Sequence, residues 1–173
     1  MIKLFINRIY RSIKIDPEVF EEVQKDNNAT VAAATVVVLS SLAAGIGASH
    51  LGRVNFFLAP GLSLITWFLW AYIVYFVGVK LFPDKKTKTT HAALLRSIGF
   101  SSAPGMIRIF GFNENLMAVT FVGSALWMLA CMVVAVKQTL NYKSLGKAFG
   151  VVVIAWLVQA FALISILALT RNF

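Results

Sequence analysis

Five apolar stretches, at residues 29–49, 60–82, 91–110, 116–136 and 148–169, are separated by short polar linkers. Each is close to the ~20 residues an α-helix needs to cross a hydrocarbon layer about 30 Å thick. The chain is 59% hydrophobic and 13% charged, where a soluble domain is about half apolar and roughly a quarter charged. An ordinary soluble domain and an unstructured chain are both excluded. The expected fold is all-α: a polytopic membrane protein with five transmembrane helices, the third of them kinked, and an N-terminal amphipathic interfacial helix. Residues 1–28 form the cytoplasmic amphipathic segment in this reading, and residues 29–173 the transmembrane domain.

The third stretch is the least hydrophobic, and its route decides the orientation of everything after it. Arg96 and Arg108 flank Gly99, Ser101, Ser102, Pro104 and Gly105. Pro104 lacks an N–H and its ring clashes one turn back, which predicts a kink near residues 100–104. The serines can satisfy the freed carbonyls, and the glycines permit close backbone packing. Long stems can carry both arginine charges toward the nearer interface. With Thr120, Ser124 and Gln159, these small and polar groups form a candidate cavity. The same groups would equally lock the bundle by hydrogen bonds between helices, which is the favoured reading. The first stretch, rich in alanine, glycine and serine, suits the centre of the bundle because small side chains let helices approach closely in lipid.

Formal net charge is +9, but the excess lies in the linkers of a membrane protein, which points to orientation and lipid headgroups rather than nucleic acid. Wound at 100° per residue, Ile2, Phe5, Ile6, Ile9 and Ile13 share a face opposite Lys3, Asn7, Arg11 and Lys14, with Arg8 at the edge. Such a helix lies in the headgroup region or docks on the protein's own helices. Its charges also break up any secretory h-region, so no cleavable signal is expected. Asp16-Pro17-Glu18 reads as a helix start, with Val19, Phe20 and Val23 as anchors and Asp26-Asn27-Asn28 as its end. Lys3, Arg8, Arg11, Lys14, Lys85, Lys86, Lys88 and Arg96 are the candidate contacts for anionic lipid or a protein partner. Five crossings from a cytoplasmic N-terminus place thirteen Lys and Arg inside and only Arg53, Arg108 and Arg171 outside. A re-entrant third segment would leave ten against six.

Chemistry-bearing patterns are missing. There is no HExxH, GxSxG, Walker loop or Rossmann glycine pattern, and no pair of acids inside an apolar stretch. His50 and His91 fall at stretch ends on opposite sides. Cys131 is the only cysteine, so neither an intramolecular disulfide nor a cysteine zinc motif can form. Ser101 and Ser102 have no base at matching depth. No enzyme activity, cofactor or metal is expected. Gly52, Arg53 and Asn55 read as a turn with Phe56-Phe57 at the interface, and Arg171-Asn172-Phe173 close the chain.

The order of short motifs resembles the Yip1 family of small multi-spanning membrane proteins in its prokaryotic form. The likeness rests on Asp16-Pro17-Glu18-Val19-Phe20-Glu21-Glu22, Leu81-Phe82, Gly99-Phe100-Ser101-Ser102-Ala103-Pro104, Trp127 with Val134-Ala135-Val136-Lys137-Gln138, and Lys147-Ala148. It covers nearly the whole chain from Ile15 onward. It implies a five-helix bundle with a cytoplasmic N-terminus and no catalytic residues to carry over. In eukaryotic members it implies association with Rab-type GTPases and vesicle traffic, through a longer N-terminal region than the 28 residues here. The expected setting is a prokaryotic cytoplasmic (inner) membrane, with the N-terminus cytoplasmic and the C-terminus outside. The expected function is non-enzymatic organisation of lipid or protein partners, with a second copy of the chain among them. The alternative is a small oligomeric channel or permease built on the broken third segment.

Overall fold

The computed structural model describes residues 2–51 and 58–170, with the side chains of 162, 163 and 165–170 outside the description. The expected turn at Gly52, Arg53 and Asn55, the interfacial Phe56-Phe57 and the closing Arg171-Asn172-Phe173 all lie outside the described residues. The described chain is all-helical. Its α-helices are α1 Ile2–Ile13, α2 Pro17–Lys25, α3 Ala29–Gly47, α4 Leu58–Tyr75, α5 His91–Ser101, α6 Glu114–Thr139 and α7 Leu145–Thr170. A π-helical stretch, Phe76–Leu81, continues α4, and a 3-10 segment, Ala103–Phe112, follows α5.

Among the described residues three helices are long and apolar enough to cross a membrane: Ala29–Gly47, Leu58–Leu81 and Glu114–Thr139. The expectation of five transmembrane helices is corrected to three. Pro104 and the polar residues around it divide the third stretch into an 11-residue α-helix and a 10-residue 3-10 segment. Neither piece has the length of a crossing helix. In the last stretch the apolar helix described is the shorter Leu145–Phe161. The expected placement of the C-terminus outside requires an odd number of crossings, a condition that three meets as five does.

Every residue of α5 from Ala93 to Ser101 is buried, with α2, α3, α4 and α6 packed around it. That explains its modest hydrophobicity: a helix surrounded by protein need not be apolar to lipid. From α5 into the 3-10 segment the chain descends between α3 and α6. A Cβ on Gly99 would stand 2.8 Å from that of Ala33, one on Gly105 would strike Ser40 Oγ, and one on Gly47 would strike the Arg108 carbonyl. On the other side Thr139 Oγ1 donates to Ser97 Oγ at 2.9 Å, Met128 lies beside Gly105 and Phe121 beside Gly111. Glycine is required at 99 and 105 because α3 occupies the space of a side chain.

The N-terminal helices form a hairpin. Asp16 caps α2 by accepting from Glu18 N at 2.9 Å, and Val19, Phe20 and Val23 are wholly buried. Helix α1 ends with Asp16 N donating to Arg11 O and Ile15 N to Ser12 O, a left-handed ending that glycine usually occupies. Here Ile15 takes it, at φ 58°, and its side chain packs on the cluster around Phe20 and Phe100. The hairpin tip reaches the middle of α6, where Trp127 Nε1 donates to Ile13 O at 2.8 Å.

Candidate functional site

Five of the seven acidic residues lie between positions 16 and 26, and the hairpin turns four of them onto the arginines of α1. Arg8 bonds Glu22 Oε1 and Asp26 Oδ2, both at 2.8 Å. Arg11 bonds Asp16 Oδ2 at 2.7 Å and Glu22 Oε2 at 2.9 Å. The hydrogen bond from Arg11 holds the Asp16 carboxyl below its usual range, and that from Arg8 does the same for Asp26. Arg96 is turned inward too. It is 5% exposed and donates to the carbonyls of Val23, at 3.0 Å, and Gln24. Those carbonyls belong to the last turn of α2, where no intrahelical donor is available. Arg8, Arg11 and Arg96, three of the candidate lipid contacts, thus bind oxygens of the protein itself.

The lysines point the other way. Lys3, Lys14, Lys85, Lys86 and Lys88 are exposed, and among the described residues no lysine is ion-paired with a carboxylate. The linker carrying Lys85, Lys86 and Lys88 is pinned to the turn between α6 and α7. Thr87 Oγ1 donates to Leu140 O at 3.1 Å and Lys147 Nζ to Pro83 O at 2.9 Å. The Tyr142 hydroxyl lies 2.7 Å from Gly78 O and 2.8 Å from Phe82 O. Lys137, Lys143 and Lys147 flank that same turn. On α1, Phe5, Ile9 and Ile13 pack against the protein, while Ile2, Ile6 and Tyr10 are 75%, 59% and 55% exposed. The helix therefore docks on the bundle by one flank and presents an apolar strip edged by Lys3 and Lys14 on the other.

At the break, Ser101 Oγ donates to Ile98 O at 2.7 Å and Ser102 Oγ to the same carbonyl at 3.4 Å. Pro104 and Gly105 are buried. Thr120 bonds carbonyls of its own helix, Leu116 at 2.9 Å and Met117 at 3.1 Å. A groove of about 870 Å³ opens between α3, α4, α6 and α7. Of the predicted cavity residues, Ser102 and Gln159 line it; Gly99, Ser101, Pro104, Gly105, Thr120 and Ser124 do not. Ser124 instead accepts from Arg108 Nε at 2.8 Å, and Arg108 does line the groove. The walls were missed in the sequence, although Trp67, Trp70 and Trp156 supply much of them.

His91 sits edge-on to Phe68 at 4.8 Å, with Tyr72 and Tyr75 nearby. His50 occupies the short turn Ser49–Leu51 after α3. Cys131 is buried against α1, its thiol 3.4 Å from Ser12 O. Among the described residues no three His, Cys, Asp or Glu side chains converge on a metal-sized site.

The family model of the Yip1 domain matches residues 11–167. No curated protein and no solved structure matches the chain.

Proposed function

Because the chain belongs to the Yip1 domain family and is a multi-pass integral membrane protein, we propose that it organises anionic lipid at one membrane face without catalysis. The observation that carries this reading is the division of labour among its cations. Arg8, Arg11 and Arg96 are consumed by oxygens of the protein, whereas Lys3, Lys14, Lys85, Lys86 and Lys88 stay exposed. A compact, unpaired ammonium near a surface attracts anionic headgroups by about 1 kcal/mol each. The exposed Ile2, Ile6 and Tyr10 add apolar area beside two of those lysines, as expected of a helix resting at a headgroup boundary.

Lysine-rich ends face the cytoplasm, so the N-terminal hairpin and the Lys85-Lys86-Lys88 linker are assigned to that side of a prokaryotic inner membrane. Labelling a Lys86→Cys variant tests this. Cys131 is buried, so the introduced thiol is the reactive one, and it should react only in inside-out vesicles.

The lipid reading is tested by electron spin resonance of the protein in mixed bilayers carrying spin-labelled phosphatidylglycerol or phosphatidylcholine. The wild type should restrict the anionic lipid preferentially, and changing Lys3, Lys14, Lys85, Lys86 and Lys88 to Gln should erase the preference. Unchanged selectivity would sink the reading. The break favours packing over permeation, because Gly99 and Gly105 are closed against Ala33 and Ser40.

A further inference from the structure

Arg108 differs from Arg8, Arg11 and Arg96, each of which bonds two or more oxygens of the N-terminal hairpin. No carboxylate among the described residues lies within ion-pairing distance of it. Its Nε donates to Ser124, its guanidinium stands 5.6 Å from the Phe121 ring, and the side chain, half-buried, lines the groove. The rest of that groove is largely apolar. Met128 and Met132 follow Ser124 at successive turns of α6, a run of about 12 Å at 1.5 Å per residue. Met132 Sδ receives the Trp70 indole N–H at 3.2 Å, and Trp67 and Trp156 close the sides. The volume of about 870 Å³ falls in the roughly 300–1,000 Å³ range of small-ligand sites. A cation at one end and an apolar trough leading away from it match one chemistry: a phosphate-bearing amphiphile.

We propose that this groove holds one anionic phospholipid, its phosphate on the free edge of Arg108 and an acyl chain along Met128, Met132 and Trp70. A planar guanidinium suits phosphate oxygens because it offers parallel donors. Ser124 fixes the plane through Nε and leaves the terminal nitrogens to the ligand. Gln159 and Ser41, which also line the groove, supply polar groups for the headgroup. The site is separate from the exposed lysines, so the two proposals fail independently.

The test is native mass spectrometry of protein taken into mild detergent from bilayers holding phosphatidylglycerol and phosphatidylcholine in equal amounts. The wild type is expected to retain one phosphatidylglycerol per chain. Arg108→Gln, which removes the charge, should lower that occupancy about tenfold, the equivalent of ~1.4 kcal/mol. Arg108→Lys should keep a measurable part of it, and Ala44→Phe, which fills the groove while sparing Arg108, should lose the lipid. Thermal unfolding of each variant shows that it is folded, and Arg108→Lys carries the test if Arg108→Gln is not. The lysine-to-glutamine protein should still hold its lipid. Equal retention of the two lipids, or full retention by Arg108→Gln, overturns the proposal. So does inorganic phosphate protecting the protein from heat as well as the lipid does, which marks a bare anion site, or a lipid-free pair of chains in the spectrum, which marks a self-association surface.

Discussion

Arg96 and Arg108 stand at either side of one helix break, the first on buried α5 and the second on the 3-10 segment that follows it, and the structure treats them oppositely. Arg96 is enclosed and its guanidinium ends on two main-chain carbonyls of α2. Arg108 is held at one nitrogen by Ser124 and otherwise faces a groove. The difference lies in what each meets. A helix C-terminus is packed across from Arg96, and its unsatisfied carbonyls are the partner a cation completes. Helix α3 also ends beside Arg108, at Gly47, but there it meets the main-chain carbonyl of Arg108, while the side chain bonds Ser124. One arginine is structural, and the other is left with binding capacity.

The largest effect should separate them directly. Arg96→Met removes the donors of Val23 and Gln24 and leaves both carbonyls enclosed. Hydrogen bonds to charged groups contribute about 1.5–3 kcal/mol each, so a loss of roughly 3 kcal/mol is expected. Unfolding in detergent by heat, read by far-ultraviolet circular dichroism, measures it. A near-neutral result would mean that α2 is not secured through Arg96.

The packed side of the break gives the next largest effect. Gly105→Ala forces a methyl against Ser40 and Met128, and overpacking of this kind costs about 1–3 kcal/mol. Gly123 on α6 has open space where a Cβ would stand, so Gly123→Ala should be neutral or stabilising by up to ~1 kcal/mol. If both substitutions behave alike, the close contact between α3 and the 3-10 segment is not what holds the break.

Much of this arrangement is legible in the sequence where it depends on neighbours along the chain. Asp16 capping α2, the anchors Val19, Phe20 and Val23, and the end of a helix just before Pro104 all follow from local rules. The partners of the arginines do not, because Arg96 meets Val23 across 73 residues and periodicity carries no information at that range. One signal was present: five acids crowded into residues 16–26 of a strongly basic chain, adjacent to a helix with arginines three apart. The count of membrane-spanning helices was misjudged for a related reason. Composition cannot tell a stretch surrounded by lipid from one like α5, surrounded by protein.

Acid should loosen the matched side while sparing the groove. The Asp16 and Asp26 carboxyls are depressed by hydrogen bonds from Arg11 and Arg8. A depressed folded value means that the stabilisation is complete above the ordinary aspartate value of about 3.9. It is then lost as pH falls through the folded value. Below about pH 4 the α1–α2 pairing should therefore weaken while α3, α4 and α6 hold. Hydrogen exchange of α1 amides across that range measures it. Exchange independent of pH in α1, after correction for intrinsic rates, would show that apolar contacts alone hold the hairpin.

The smallest effect is expected at Arg108 itself. Arg108→Gln gives up one hydrogen bond to Ser124, a net contribution of about 0.5–1.5 kcal/mol, and it also relieves the cost of keeping a half-buried charge without a counter-ion. The two changes oppose each other, so unfolding in lipid-free detergent should shift by less than about 1 kcal/mol in either direction. Added phosphatidylglycerol should then stabilise the wild type more than the variant, since a ligand that binds only the folded state raises its stability by mass action. Arg96→Met must show the reverse pattern, a large loss without lipid and an undiminished response to it. A variant at Arg108 that unfolds as readily as one at Arg96 would place both arginines in the same structural role.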